Sequence, residues 1–197
     1  IAAAPLASPN FTGDIDVDNI KIDGNTISST DTNGNIILDP NGTGFVQINS
    51  DSTSSALKLK TDDNGTSTAP DIYFYKNSSS PADGDYLGNL LFYGNNSDGT
   101  EHLFAQIVSQ TADVTAGTED GRLAFYTHVN GTNYNRVYIN TGEVVINEGS
   151  LDSDFRVEGN GDANLLFVDA GNDRVGIGTN SPSTLLDVDG VANMTTL

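Results

Sequence analysis

Residues 172–190 read NDRVGIGTNSPSTLLDVDG. Two glycines flank an isoleucine, as they would in a phosphate-cradling loop. The dinucleotide fingerprint, however, needs a third glycine and a helix whose N-terminus meets the phosphate. Here Gly176 and Gly178 are followed by Ser181 and then Pro182, and no lysine follows the glycines as a P-loop requires. Residues 183–190 are too short and too rich in Asp and Val for a first helix. The alternative is a strand, a turn at Asn180-Ser181-Pro182 and a second strand. Val175 and Ile177 then share one side, and the bare Gly176 and Gly178 the other, where another backbone can approach closely.

Composition extends that reading to the whole chain. Gly, Asn, Asp, Ser and Thr make up just over half of the 197 residues, and apolar residues only 36%. Such residues favour turns and short polar strands over helices. No window sustains a 3.6-residue apolar period. Acids outnumber bases 27 to 8, for a net charge of −19, which opposes nucleic-acid binding, since phosphates need clustered Lys and Arg. With no cysteine, disulfides and thiolate metal sites are excluded. No apolar run approaches the ~20 residues of a membrane-spanning helix. The opening Ile1-Ala2-Ala3-Ala4-Pro5 lacks the basic start of a signal peptide and reads as the interior of a longer chain.

Along the chain, strand and turn alternate about every 8–12 residues, the mark of an all-β protein. In residues 13–27, GDIDVDNIKIDGNTI, Ile15 and Val17 share one side and Asp14, Asp16 and Asp18 the other; Asp23-Gly24 is a hairpin dipeptide. Further strands are expected at 34–38 and 45–48, then at 72–75, 90–93, 103–108 and 122–129, with a pair across Thr141-Gly142. The last third predicts short strands at 155–157, 165–168, 175–177 and 185–188. Most aromatic residues lie between Tyr73 and Tyr138, so a compact domain with its own core is expected there. The organisation predicted is a slim β segment over 1–50, a β-sandwich-like globular domain over 51–147 and a second slim β segment over 148–197. Each slim segment offers two or three apolar residues per strand, all on one side. A lone 50-residue piece of that kind buries too little to offset ordering entropy of about 1–2 kcal/mol per residue. Copies wound about one axis would complete the interior, and an intertwined homotrimer is expected.

The combination of motifs resembles bacteriophage tail fibres. DRVGIGTNSPSTLLDVDG (173–190) is similar to a stretch found in them before a C-terminal intramolecular chaperone domain. APLASPNFTG (4–13) resembles their linkers, and PADGDYLGNLLFYGNN (81–96) with AQIVSQTADVTAGTEDGRLAFYTHVNG (105–131) a recurrent fibre module. The resemblance implies an elongated, homotrimeric virion protein on the particle surface, with other tail proteins and a host cell-surface glycan or protein as partners. It carries over no catalytic residue, because the self-cleaving chaperone domain is not in this chain. Neither a cofactor, nor nucleic acid, nor membrane insertion is expected. The alternatives are a bacterial surface adhesin or S-layer-like module, and a polysaccharide-degrading tailspike.

Candidate residues follow from this. In the middle domain Tyr86, Asp83, Asp85 and Tyr134 are the receptor-contact candidates; exposed tyrosines suit sugar stacking, whereas buried ones are core. A tailspike would draw its acid and base from Asp83, Asp85, Glu119 and Asp120, though 27 acids create such pairs by chance. Asp14, Asp16 and Asp18 have the spacing of a calcium loop, but Asn19 and Asn25 stand where an EF-hand has Gly and Glu, so a solvated strand face is the simpler reading. Gly161-Asp162 and Gly171-Asn172-Asp173 echo a calcium-binding β-roll without its strict repeat. His102 and His128 are the only histidines, neither has a partner two residues away, and no G-x-S-x-G elbow offers either one a nucleophile; solvent-facing or packed roles are expected.

Overall fold

The computed structural model describes residues 20–23, 26–51, 56–66 and 70–191. They are all-β, with no helix. Contacts divide the chain into two units, Ile1–Asp71 and Ile72–Leu197.

In the first unit, β1 (Ile20–Asp23) and β2 (Thr26–Ser29) form an antiparallel hairpin closed by the pair Asp23 and Thr26. The strand expected around Ile15 and Val17 lies outside the described residues. Residues 34–38 and 45–48, expected as strands, have no ladder partner. Tight turns at 31–34 and 41–44 are present (Gly34 N donates to Asp31 O at 3.2 Å, Gly44 N to Asn41 O at 3.2 Å). Ile37, between them, and Phe45, just after the second, stand 79% and 75% exposed. The turn chemistry is local and forms within one chain, whereas a ladder needs a second segment.

The second unit holds two sheets. The larger is an antiparallel meander of β3 (Tyr86–Asn95), β4 (Glu101–Asp113), β5 (Asp120–Val129), β6 (Thr132–Ile139) and β7 (Val144–Ile146), paired in chain order. Its turns explain the Asn- and Gly-rich composition. Asn130 and Gly131, both at positive φ (49° and 77°), make the two-residue link between β5 and β6. The side chain of Asn96 accepts from Asp98 N and Thr100 N, and that of Asn140 from Gly142 N and Glu143 N. Residues 72–75, expected as a strand, do not join the sheet. Instead Phe74 lies over Gly88 of β3, where a Cβ would come within 2.8 Å of its ring.

The smaller sheet has the order β11 (Leu186–Val188), β10 (Arg174–Ile177), β9 (Leu166–Asp169), β8 (Phe155–Val157). β8, β9 and β10 are antiparallel, but β10 and β11 are parallel, so residues 178–185 form a crossover and not a hairpin. The crossover is tied down by Arg174 Nη1 donating to Pro182 O (2.8 Å), by Gly178 N donating to Asn164 O (2.9 Å), and by the Ser183 backbone and hydroxyl donating to Asp187 Oδ2. The bare side of β10 is occupied as its glycines suggest: the Thr179 backbone passes over Gly176, and the Asp189 backbone approaches Gly178.

Candidate functional site

Register fixes what each face of the meander carries. One face is built from cross-strand rows Asn89–Val108–Ala124–Tyr138–Val145, Leu91–Gln106–Tyr126–Asn135 and Tyr86–Gln110–Arg122. The opposite face carries Leu90–Ile107–Phe125–Val137–Ile146, Gly88–Ser109–Leu123–Ile139–Val144 and Phe92–Ala105–Thr127–Tyr134. The mixed polar face contains the two most buried apolar residues, Val108 and Ala124, because they are small and stand among larger side chains. The apolar face stays open. Leu90, Phe92, Leu123 and Ile146 are each more than a third exposed. At one corner the segment 72–74 covers it, leaving an apolar cleft of about 400 Å³ lined by Ile72, Phe74, Leu90, Ile107 and Leu123.

The acidic loop candidates sit where β4 ends. Asp85 forms an ion pair with Lys76 (2.6 Å), its other oxygen accepts from Ala82 N (3.1 Å), and its backbone exchanges hydrogen bonds with Thr111. Asp83 Oδ1 accepts from Val114 N (3.0 Å). The Asp83 carboxylate therefore fastens the 81–85 turn to the β4–β5 connection, whereas the Asp85 carboxylate closes the turn on Ala82 and Lys76 and the Asp85 backbone ties it to β4. The Lys76 hydrogen bond first, and the Ala82 N–H second, hold Asp85 below its ordinary value of 3.8. Glu119 is lowered by the backbone N–H groups of Glu119 itself and Gly117. A glycosidic general acid requires the opposite shift.

A pH prediction follows from the sign of the Asp85 shift. A carboxyl whose folded value is depressed adds stability above the unfolded value and loses it as pH falls through the folded one. The melting midpoint should therefore drop on acidification below about pH 4, the ordinary carboxylate range. Asp85→Asn should shallow that drop in a thermal melt followed across pH. An acid limb identical in the two proteins would mean that the ion pair contributes nothing.

Of the receptor candidates, Tyr86 is 58% exposed and lies beside Asp83 and Asp85 in the chain. It belongs to the mixed polar face with Tyr126 and Tyr138. Burial raises the Tyr126 hydroxyl first, the neighbouring Tyr86 and Tyr138 add to the rise, and a hydrogen bond with Asn135 opposes it. Tyr134 is not brought to this cluster. Its row is on the apolar face, five residues farther along β4, or about 17 Å. It is half-buried, packed by the turn at Gly149, where a Cβ would come within 3.0 Å of its ring. Asp120 begins β5 and is exposed.

Of the metal candidates, Asp14, Asp16 and Asp18 lie outside the described residues. In the β-roll-like stretch, Asp162 Oδ1 accepts from Asn164 N (2.8 Å) and Asp169 from both nitrogens of Asn172, which are turn-forming bonds. Sequence spacing missed one constellation. His102 on β4 and His128 on β5 meet, with Nε2 of the first 3.1 Å from Nδ1 of the second and the rings 4.8 Å apart at 89°. Their separation of 26 residues fits no local motif; the β4–β5 register brings them together. Neither a family model nor a curated protein matches this chain.

Proposed function

We propose that this chain is a structural segment of a bacteriophage tail fibre, assembled as a homotrimer on the virion surface, where it supports attachment to the host cell. The observation that carries the reading is the disposition of apolar side chains. Among the described residues the buried apolar core is only Val108, Ala124 and Phe167, and no large side chain is fully buried, whereas Phe45, Leu57, Tyr73, Phe92, Ile146 and many others are well exposed. Exposure on this scale marks surfaces that meet another chain. The same property occurs in both units, in extended segments with free edges, and a second and third copy of the chain supply matching apolar faces and matching edges. The abundance of turn residues and the acidic surface suit a repeated β architecture in salt-containing medium. Work of this kind is mechanical and adhesive, and it requires no catalytic group. Tyr86, exposed at the loop end, is the residue of the receptor candidates best placed to stack on a host glycan.

The test is the mass in solution. Light scattering on the purified chain should give about three times 20.7 kDa. A well-behaved species at 20.7 kDa, with its apolar face tolerated in water, would overturn the reading.

A further inference from the structure

We propose that His102 and His128 form a cross-strand binding site for a late first-row divalent transition ion, copper(II) or nickel(II) before zinc. The β4–β5 ladder ends with Ala105 opposite Thr127, and just beyond it the side chains of His102 and His128 meet across the two strands. Phe104 stands edge-on to His102 at 5.4 Å and limits where that ring can turn. On the β3 side His102 pairs with Gly94, and the room left by the missing Cβ is taken by the Phe104 ring, 3.3 Å from where that Cβ would lie. On the β6 side His128 pairs with Asn133, whose Oδ1 is buried and has no hydrogen-bond partner.

Two imidazole nitrogens 3.1 Å apart, each at about 2.0–2.1 Å from a metal, subtend about 95–102°. That bite suits neighbouring ligands of one ion, and the preference for copper and nickel rests on the affinity order of imidazole ligands and on a set of only two protein donors. Imidazole suits these ions, and copper stands highest in the affinity order. Without metal, one nitrogen of the pair carries the hydrogen that bridges to the other. When the ion enters, that hydrogen moves to the far nitrogen of the same ring, and both imidazoles bind as neutral ligands. Among the described residues no third His, Cys, Asp or Glu completes the set. Water fills the remaining positions, and the unpartnered oxygen of Asn133, the residue paired with His128, is an acceptor to orient it. The site lies within one chain and does not depend on the fibre reading.

The experiment uses tag-free protein, because the many carboxylates also attract cations. Calorimetric titration with copper(II), in the presence of excess magnesium to occupy oxygen sites, should give one site per chain. His102→Gln and His128→Gln, checked for retained β circular dichroism, should each weaken binding by about tenfold or more, since even outer-shell losses cost that much. Should either variant misfold, electron paramagnetic resonance of the copper-loaded native chain decides, with splitting from two nitrogen ligands expected. No saturable copper binding, binding unchanged in both variants, or a spectrum with oxygen donors alone would each overturn the proposal.

Discussion

Replacing Gly176 by alanine should lower the melting temperature of the protein by about 5–10 °C, from a loss of about 2–3 kcal/mol. Gly176 is buried in the middle of β10. A Cβ there would lie 2.3 Å from the carbonyl oxygen of Thr179, 3.2 Å from its Cγ2 and 3.3 Å from its carbonyl carbon. Two of those atoms are backbone, and they belong to the crossover that carries the chain from β10 to the parallel β11. The crossover cannot simply retreat. Its start is held by Gly178, which sits at φ 73° with Asp189 O 3.0 Å from its own missing Cβ, and its far side by Arg174 bonded to Pro182 O and by Val175 N bonded to Leu185 O. The added methyl therefore forces β10 and the crossover apart, and Phe167, paired with Gly176 across β9, loses its cover. Gly161→Ala is the control. Nothing lies within 4 Å of its missing Cβ, so the change should stay within about 0.5 kcal/mol. Equal melting temperatures for the two variants would show that Thr179 does not cross over Gly176.

The same stretch separates what the sequence discloses from what it conceals. The bare side of β10 is legible, because a strand has period two and glycine has no side chain: Gly176 and Gly178 had to share a face on which something comes close. What comes close is not legible. Asn180-Ser181-Pro182 reads simply as a turn between two strands, and parallel pairs ordinarily need a dozen or more connecting residues. Here an eight-residue loop, 178–185, suffices, since it packs directly on the glycine edge of the strand it leaves. The missing ladders at 34–38, 45–48 and 72–75 teach a related point. Alternation announces a segment able to pair, but pairing belongs to two segments, and periodicity names only one. In the middle domain the partners are adjacent in the chain, so the expected strands at 90–93, 103–108 and 122–129 appear, lengthened to β3, β4 and β5. The His102–His128 meeting was hidden for the opposite reason. It depends on the register of two long strands, and a bulge between Thr111 and Asp113 shifts that register by an amount no spacing rule supplies.

On the proposed trimeric assembly, placing aspartate at both Phe92 and Ile146 should give single chains of 20.7 kDa without unfolding the meander. Both positions belong to the apolar face, 52% and 44% exposed, and neither lines the cleft beneath Phe74, so the chain's own packing loses little. In a protein that worked alone, two such surface substitutions would cost about 0.5 kcal/mol or less each. Against a sister chain the arithmetic differs. Each carboxylate enters a desolvated contact at a cost of several kcal/mol with no basic partner prepared for it, and symmetry repeats the cost in every copy. The chain holds only 8 Lys and Arg against 27 acids, so a rescuing ion pair has few sources. Asn95→Asp with Asn160→Asp controls for the effect of added negative charge alone: the same two charges at exposed positions should leave the proposed threefold mass unchanged. Circular dichroism distinguishes dissociation from unfolding, since the meander's turns and ladders are made within one chain. If the Phe92 and Ile146 variant keeps its mass, the open face of the meander is solvent surface, and the copies must join through the extended segments around Phe45 and Leu57 instead.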